Sequence, residues 1–85
     1  MILAWTDLAW ESYLYWQVND KTMLKRINTL IKNIKNTPFE GIGKPEPLRF
    51  DLAGKWSRRI NEEHRIVYEV KEGELIIYQC RYHYI

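Results

Sequence analysis

Cysteine is scarce in this 85-residue chain: Cys80 is the only one, so an intramolecular disulfide cannot form. The chain also has no apolar run near the roughly 20 residues that a membrane span requires. Its first residues, "MILAWTD", lack the basic start and the long apolar stretch of a signal peptide. We therefore expect a protein of the reducing cytoplasm, without a membrane partner.

The sequence motifs of several common functional sites are missing as well. There is no phosphate-binding G-x-x-x-x-G-K-[ST] or G-x-G-x-x-G loop, no C-x-x-C and no G-x-S-x-G. Cys80 and His83 have the spacing of half a zinc site, but zinc needs three or four ligands and the other candidates, around His64, lie in a distant turn. A small buried cysteine is the better interpretation. We expect neither a metal ion nor another cofactor.

The chain is rich in apolar side chains, which make up 46% of it and include four tryptophans and six tyrosines. This supplies enough large apolar surface for the core of one domain over residues 1–85. Charge is unevenly spread: residues 1–20 hold three acidic residues and no Lys or Arg, whereas residues 21–65 hold eleven basic residues against five acidic ones. A basic segment with Trp and Phe is typical of a nucleic-acid-binding surface, although a solvated charged face explains the charge equally well.

The hydrophobic pattern changes from helical to strand-like near the middle of the chain. Apolar residues first recur at spacings of three and four, and the second helix must end at Thr37 because a residue before proline avoids the α conformation. Apolar and polar residues then alternate between short turns, which predicts an antiparallel meander. The expected class is α+β, with two N-terminal helices packed on a twisted, mainly antiparallel sheet in the order β-α-α-β-β-β-β. The predicted elements are a strand over Ile2–Trp5, a helix from Thr6 or Asp7 to near Asn19, a helix from Asp20 to Thr37, an irregular loop over Thr37–Pro47, and strands over Leu48–Leu52, Trp56–Ile60, Arg65–Val70 and Leu75–Cys80.

The last predicted hairpin brings basic residues close to a histidine. Strict alternation along the final strand puts the following residues on one face: Leu75, Ile77, Gln79, Arg81 and His83. A tight turn near residues 72–73 pairs positions whose numbers sum to about 145–147, which sets Arg65 beside residues 80–82. Arg58 and Arg59 belong to the neighbouring strand. We expect all four arginines to converge at one edge of the sheet, where a polyanion or carboxylates must offset their repulsion.

A carboxylate, a histidine and arginines on one basic platform are sufficient to cut RNA without a metal. The 2′-hydroxyl is the internal nucleophile, so a base must take its proton, an acid must protonate the 5′-oxygen, and a cation must offset the charge on the phosphorane. Histidine can supply either proton role near neutral pH. Glu46 lies in the proline-rich loop, from which it could swing into the arginine cluster. From spacing alone, an ordinary solvated position is favoured for Glu46, and a structural strand-end role for His83 stays open.

Four longer motifs are spread along the chain, and their length makes them highly specific. They are "YLYWQ" (Tyr13–Gln17), "TPFEGIGKPEPL" (Thr37–Leu48), "L-x-G-x-WSRRI-x-EEHR-x-VY" (Leu52–Tyr68) and "CRYHY" (Cys80–Tyr84). By these motifs the chain resembles the YoeB toxins, in the RelE/ParE superfamily of bacterial toxin–antitoxin systems. The resemblance implies the fold of that superfamily, in which two helices pack against an antiparallel sheet.

The resemblance also implies a messenger-RNA endoribonuclease that enters the A site of the ribosomal 30S subunit. Such a toxin cuts the codon there, leaves a 2′,3′-cyclic phosphate and blocks translation. On the matching positions of this chain, Glu46 would be the general base, Arg65 would stabilise phosphate charge, and His83 would be the general acid. Tyr84 would orient the substrate, and Glu63 would support the site. The residues expected to contact RNA or the ribosome are Lys44, Arg49, Lys55, Arg58, Arg59 and Arg81.

The partners implied by the resemblance are an antitoxin of the YefM/Phd class, whose C-terminal segment folds over the toxin, and a second copy of the chain in a homodimer. Two other hypotheses stay open. One is a non-catalytic toxin such as the branch of the superfamily that poisons DNA gyrase. That branch lacks the Glu/Arg/His set formed here by Glu46, Arg65 and His83. The other is a basic RNA-binding module without catalysis.

Overall fold

Two helices lie against one face of a five-stranded sheet in the computed structural model, which describes residues 1–83. The elements are β1 (Ile2–Trp5), α1 (Asp7–Asn19), α2 (Lys21–Asn36), β2 (Glu46–Pro47), a short 3-10 helix (Phe50–Leu52), β3 (Trp56–Arg59), β4 (Arg65–Lys71) and β5 (Glu74–Gln79). The strand order is β1-β5-β4-β3-β2, with β1 parallel to β5 and the other neighbours antiparallel. The predicted α+β class is confirmed. Tyr84, which the resemblance predicts to orient the substrate, lies outside the described residues.

Each helix begins directly after a polar residue whose side chain caps its first turn, Thr6 for α1 and Asp20 for α2. Oγ1 of Thr6 accepts a hydrogen bond from the N–H of Ala9 at 3.2 Å, and so satisfies a free donor of the first turn of α1. Asp20 separates the two helices. Its N–H donates to the carbonyl of Trp16 and closes α1, while its carboxylate accepts from two N–H groups in the first turn of α2. The two predicted N-terminal helices are therefore confirmed.

The core lies between α2 and the middle of the sheet. Fully buried apolar side chains from α2, β4 and β5 pack there: Ile27, Leu30, Ile34, Ile66, Tyr68, Leu75 and Ile77. Helix α1 covers the sheet less completely, because its apolar residues surround the helix. Leu8, Trp10 and Val18 are 51%, 45% and 83% exposed, whereas Trp16 is buried.

The predicted strand over Leu48–Leu52 is wrong. The strand that pairs with β3 lies earlier, with Glu46 opposite Ser57. The chain then turns through a 3-10 helix in which local hydrogen bonds replace cross-strand ones. Phe50 has a φ of +56° and is 90% exposed. Apolar and polar residues alternate in this segment, but the segment forms a turn and not a strand.

Strand β5 carries a bulge near its end. Tyr68 of β4 pairs with Ile77, but the preceding Val67 pairs with Gln79, which leaves Tyr78 as an extra residue in β5. The predicted sum of paired numbers, 145–147, holds on both sides of the bulge. One extra residue inverts the alternation of side chains beyond it.

The predicted common face for Ile77 and Gln79 is therefore wrong. Ile77 and Cys80 both belong to the helix-side core, whereas Gln79 is opposite Val67 on the other face of the sheet. Strand β5 also ends at Gln79, and Tyr82 has a φ of +65°. Because the chain is no longer extended there, alternation does not govern the orientation of the residues that follow.

Candidate active site

Four residues form a row across the open face of the sheet, which is the face away from the helices. Glu46 lies opposite Ser57, Ser57 opposite Val67, and Val67 opposite Gln79. Directly opposed residues point to the same side, and the next residue, Tyr68, belongs to the helix-side core, so the row lies on the other side. At about 4.8 Å between neighbouring strands, the backbones of Glu46 and Gln79 lie about 14 Å apart.

Two arginines also lie on this open face. Arg59 is two residues after Ser57 in β3, and Arg65 is two residues before Val67 in β4. Arg59 is paired with Arg65 in the register of these strands. Arg59 is exposed, whereas Arg65 is 7% exposed and its Nη1 donates to three carbonyl oxygens of residues 61–64 at 2.8 to 3.2 Å. These bonds fix the orientation of the Arg65 guanidinium. Glu46 thus shares one sheet face with two arginines, one exposed and one held in place.

The chain beyond β5 folds back against β4, and we call residues 80–83 the tail. The N–H of Arg65 donates to the carbonyl of Tyr82 at 2.8 Å. The N–H of Tyr82 in turn donates to Nδ1 of His64 at 2.7 Å. These bonds confirm the predicted contact between Arg65 and the tail. His83 follows directly and is exposed.

His64 and Gln79 both hydrogen-bond to the tail, a role that the sequence predicts for neither; the turn that bears His64, which we expected to be distant from Cys80 and His83, lies against the tail. His64 is 8% exposed, and an imidazole nitrogen that accepts a hydrogen bond carries no proton. Its Nε2 lies 3.6 Å from the carboxylate of Glu63, whose side chain is 73% exposed. Gln79 is 7% exposed, and its amide nitrogen donates to the carbonyl oxygens of the tail. The motif "EEHR" marks the turn that holds His64, but no sequence signal distinguishes Gln79 from an ordinary strand residue.

Arg58 does not join Arg59 and Arg65 on the open face, so the predicted convergence of all four arginines is wrong. It is fully buried, on the helix side of the sheet, because adjacent residues of a strand point to opposite faces. Its guanidinium donates to five oxygens, those of the Asn33 side chain, the Tyr68 hydroxyl and the carbonyls of Thr37, Glu40 and Ile42. A Cβ at Gly41 would lie 2.2 Å from the Asn33 amide oxygen, so only glycine fits at this close approach. Arg58 thus holds the loop that leads to Glu46.

Arg81 lies against α1 and not on the open face. The central carbon of its guanidinium is 3.5 Å from the centroid of the Tyr15 ring and 4.7 Å from that of Tyr82. Such stacking leaves the edges of a guanidinium available as donors while the ring faces attract its charge. A groove of about 350 Å³ beside it is lined by residues of α1, by Gln79 at the end of β5, and by Arg81 and Tyr82 of the tail.

Of the other predicted RNA contacts, Lys44, Arg49 and Arg59 lie along the β2 edge of the sheet and are exposed. Lys55 is half-buried, and its ammonium lies away from this edge, 4.6 Å from the centroid of the Tyr78 ring in β5. Two shallow grooves flank this edge. One, of about 450 Å³, is lined by residues that include Glu46 and Arg49, and the other, of about 430 Å³, by residues that include Lys44 and Arg59. The edge therefore presents cations on both sides of Glu46.

Cys80 is a structural residue. Its thiol donates to the carbonyl of Ala9 at 3.5 Å, and its own carbonyl accepts from Nε1 of Trp16 at 2.9 Å. Burial raises the pKa of the Cys80 thiol to about 12. A thiol with that pKa is almost entirely protonated at pH 8, and the thiolate is the reactive form.

We therefore expect the native protein to resist a thiol-specific reagent such as Ellman's reagent at pH 8. The urea-unfolded chain should react completely in the same time, because unfolding exposes the thiol and returns its pKa to the ordinary range. Absorbance of the released chromophore measures both rates. Rapid, complete labelling of the native protein would contradict the buried position of Cys80.

No group of three or more His, Cys, Asp and Glu side chains within residues 1–83 is arranged to hold a metal ion. Over the same residues, no helix combines the length and the apolar character needed to cross a membrane.

Comparison with known proteins agrees with the fold and with the motifs. A family model described as a YoeB-like toxin of bacterial type II toxin–antitoxin systems matches residues 5–84. Toxin YoeB of Escherichia coli K12 is 58% identical over 99% of this chain and 100% of its own. A YoeB/ParE toxin structure from Agrobacterium tumefaciens is 53% identical, with a TM-score of 0.97 over 99% of this chain and 100% of that one.

Two similar structures, both from Staphylococcus aureus, contain more than one chain. One is a YoeB dimer and the other a heterotetrameric YoeB–YefM toxin–antitoxin complex. Each toxin chain is 48% identical, with a TM-score of 0.92 over 99% of this chain and 98% of that one. With an almost full-length family match, a relative at 58% identity and a shared fold, this chain belongs to the YoeB toxins of type II toxin–antitoxin systems.

Proposed function

We propose that this toxin is a ribosome-dependent endoribonuclease that cuts messenger RNA at the codon in the A site, by acid–base chemistry without a metal. The observation that carries the proposal is the common open face of Glu46, Arg59 and Arg65, beside the tail that bears His83. A carboxylate, two cations and an imidazole are the groups that cleavage by internal attack requires.

In the proposed reaction, the 2′-oxygen forms a bond to phosphorus while the bond from phosphorus to the 5′-oxygen breaks. Glu46 takes the proton of the 2′-hydroxyl and His83 gives a proton to the 5′-oxygen, so the products are a 2′,3′-cyclic phosphate and a 5′-hydroxyl. Arg65, held by three carbonyl oxygens, offsets the charge on the phosphorane without having to reorient. Arg59 adds a second cation. For Tyr84 we keep the proposed role of orienting the substrate.

Docking to the ribosome would use the exposed cations of the β2 edge, Lys44, Arg49 and Arg59, which lie around Glu46. Lys55 and Arg81 add cations that are stacked on aromatic rings. Phosphate contacts of this kind position a protein on RNA without reading its sequence. Arg58 is not among these contacts in our proposal, because it is fully buried.

For partners, we propose an antitoxin of the YefM/Phd class and a second copy of this chain. The support comes from the Staphylococcus aureus relatives, which form a dimer and a toxin–antitoxin complex. We propose the cytoplasm as the location, because ribosomes and messenger RNA are found there.

Purified toxin added to ribosomes programmed with a defined messenger tests the proposal. We expect new 5′ ends within the A-site codon, mapped by primer extension, and a terminal 2′,3′-cyclic phosphate on the upstream fragment. Glu46→Gln should reduce this cleavage by roughly 10²–10⁴-fold, because an amide cannot act as the base. An intact messenger with the wild-type protein would overturn the proposed activity, and unchanged cleavage by Glu46→Gln would overturn the role of Glu46.

A further inference from the structure

We propose that Gln79 is a positioning residue for catalysis, which together with His64 clamps the tail so that His83 is presented at a fixed place beside the open face. This inference rests on the proposed endoribonuclease activity. It assigns a role to a buried amide that the reaction itself does not use.

The Gln79 side of the clamp consists of hydrogen bonds from one amide nitrogen. Nε2 of Gln79 donates to the carbonyl oxygens of Arg81 at 2.9 Å and of Tyr82 at 3.3 Å, and also to that of His83. The two N–H groups of the amide are shared among three acceptors, so only a donor fits at this position. The bulge in β5 is what makes the contacts possible, because it turns Gln79 to the open face, beside the tail.

The other side of the clamp holds the backbone of Tyr82. Its N–H donates to Nδ1 of His64, and its carbonyl accepts from the N–H of Arg65. Tyr82 adopts a φ of +65°, a conformation that costs a non-glycine residue free energy unless its surroundings stabilise it. The path of the tail is therefore set by Gln79, His64 and Arg65, since the ladder of β5 has already ended.

A clamp of this kind matters for rate more than for folding. Proton transfer requires the acid within hydrogen-bond distance of the leaving oxygen, and a misplacement of about 1 Å can cost on the order of 10²-fold. Cys80, the first residue of the tail, is anchored separately by Trp16 and Ala9. The core between α2 and the sheet contains no part of the clamp. Loss of Gln79 should thus leave the fold intact while the tail samples other positions.

The kinetic test compares Gln79→Ala and Gln79→Glu with the wild type on programmed ribosomes in single turnover. Alanine removes the donor, and glutamate replaces it with an acceptor of the same shape that faces three carbonyl oxygens. We expect the maximal rate to fall roughly 10–100-fold in both variants, with the half-saturating toxin concentration changed less than about twofold and the melting temperature nearly unchanged. Gln17→Glu is the matched control, because Gln17 is the only other glutamine and is exposed on α1. It should behave as the wild type.

Amide hydrogen exchange supplies a measurement that does not depend on activity. In the wild type, the Tyr82 N–H should exchange slowly, because the buried imidazole of His64 accepts its hydrogen bond. In both Gln79 variants we expect its protection to fall at least tenfold, while amides of the core strands keep theirs.

The two measurements separate failure of the clamp from failure of the proposed activity. An unchanged maximal rate in both Gln79 variants, or a change confined to the half-saturating concentration, would overturn the positioning role. Should the wild type not cleave at all, the endoribonuclease proposal fails, and the exchange data still decide the clamp: unchanged Tyr82 protection in both variants would overturn it. A melting temperature that falls together with the protection of the core strands would also overturn it, since Gln79 would then be needed for the fold itself.

Discussion

His83→Gln is expected to slow cleavage of the A-site codon by roughly 10²–10⁴-fold at saturating toxin, because glutamine has no proton to give at the required strength. The fold should not change. His83 is exposed, and substitutions at exposed positions usually alter the free energy of unfolding by less than about 0.5 kcal/mol. Single-turnover cleavage on programmed ribosomes, with thermal melting alongside, measures both effects.

A modified substrate identifies which proton His83 moves. If sulfur replaces the 5′-oxygen at the scissile phosphate, the leaving group departs as a thiolate and needs almost no protonation. The defect of His83→Gln should then largely disappear. The defect of Glu46→Gln should remain, because the 2′-hydroxyl still has to lose its proton.

Either of two results would contradict this assignment. Rescue of Glu46→Gln but not of His83→Gln would exchange the roles of acid and base. A sulfur substrate that rescues neither variant would remove His83 from the leaving-group step, and full activity of His83→Gln on the natural messenger would remove it from the chemistry altogether.

The elements that were predictable from sequence are those specified by short-range rules. Helix α2 has an apolar stripe, an aspartate at its start and a Thr-Pro pair at its end, and each of these acts within one or two turns. The β4–β5 hairpin was similarly predictable, since a tight turn fixes the pairing of its strands. The pairing of this hairpin was sufficient to set Arg65 beside the tail.

Two predictions from the sequence were wrong, one about the faces of β5 and one about a strand after Pro47. A single bulge in β5 moved Gln79 to the opposite face, and nothing in an alternating pattern marks the position of a bulge. The segment after Pro47 has the period of a strand but forms a turn, because local hydrogen bonds close it before a ladder can extend. In neither place did the alternating pattern determine the structure: strand pairing determined it in β5, and local hydrogen bonds determined it after Pro47.

The sequence predicted which residues belong to the candidate site better than it predicted how they are arranged. Glu46 and Arg65 came from the motifs, and the structure brings them to one sheet face with Arg59. Arg58, adjacent to Arg59 and equally basic, is inside the protein. Charge in a sequence does not say which side of a strand is solvated, and only the packing of the helices determined it here.

Arg58→Met is expected to lower the free energy of unfolding by about 3–4 kcal/mol. Arg58 is fully buried, and methionine would remove the donor to five oxygens: the Asn33 amide oxygen, the Tyr68 hydroxyl and the carbonyls of Thr37, Glu40 and Ile42. The Asn33 and Glu40 oxygens keep a second donor, the Ile42 N–H and the Thr37 hydroxyl. An unsatisfied buried polar group costs about 1–3 kcal/mol. The expected loss is smaller than this cost summed over all the acceptors, because water can reach some of them once the loop loosens.

Denaturation by urea measures this loss, with Arg59→Met as the matched control. Arg59 is the neighbouring residue on the same strand but is exposed, so the same chemical change there should cost less than about 0.5 kcal/mol. Arg58→Lys should recover only part of the stability, because a single ammonium cannot reach acceptors spread around a planar guanidinium. Equal stability of Arg58→Met and Arg59→Met would contradict the structural role.

The same experiment links stability to the site, because the carbonyl oxygens held by Arg58 belong to the loop that ends at Glu46. Tyr68 provides an intermediate step: its hydroxyl accepts from Arg58 at 3.1 Å and donates to the carbonyl of Pro38 at 2.6 Å. Burial raises the pKa of that hydroxyl, so it remains a donor at neutral pH. Tyr68→Phe should therefore cost part of what Arg58→Met costs, and the double variant less than the two together, because both residues secure one segment. Strictly additive losses would mean that Arg58 and Tyr68 hold the loop independently, and that Glu46 does not depend on a shared network for its position.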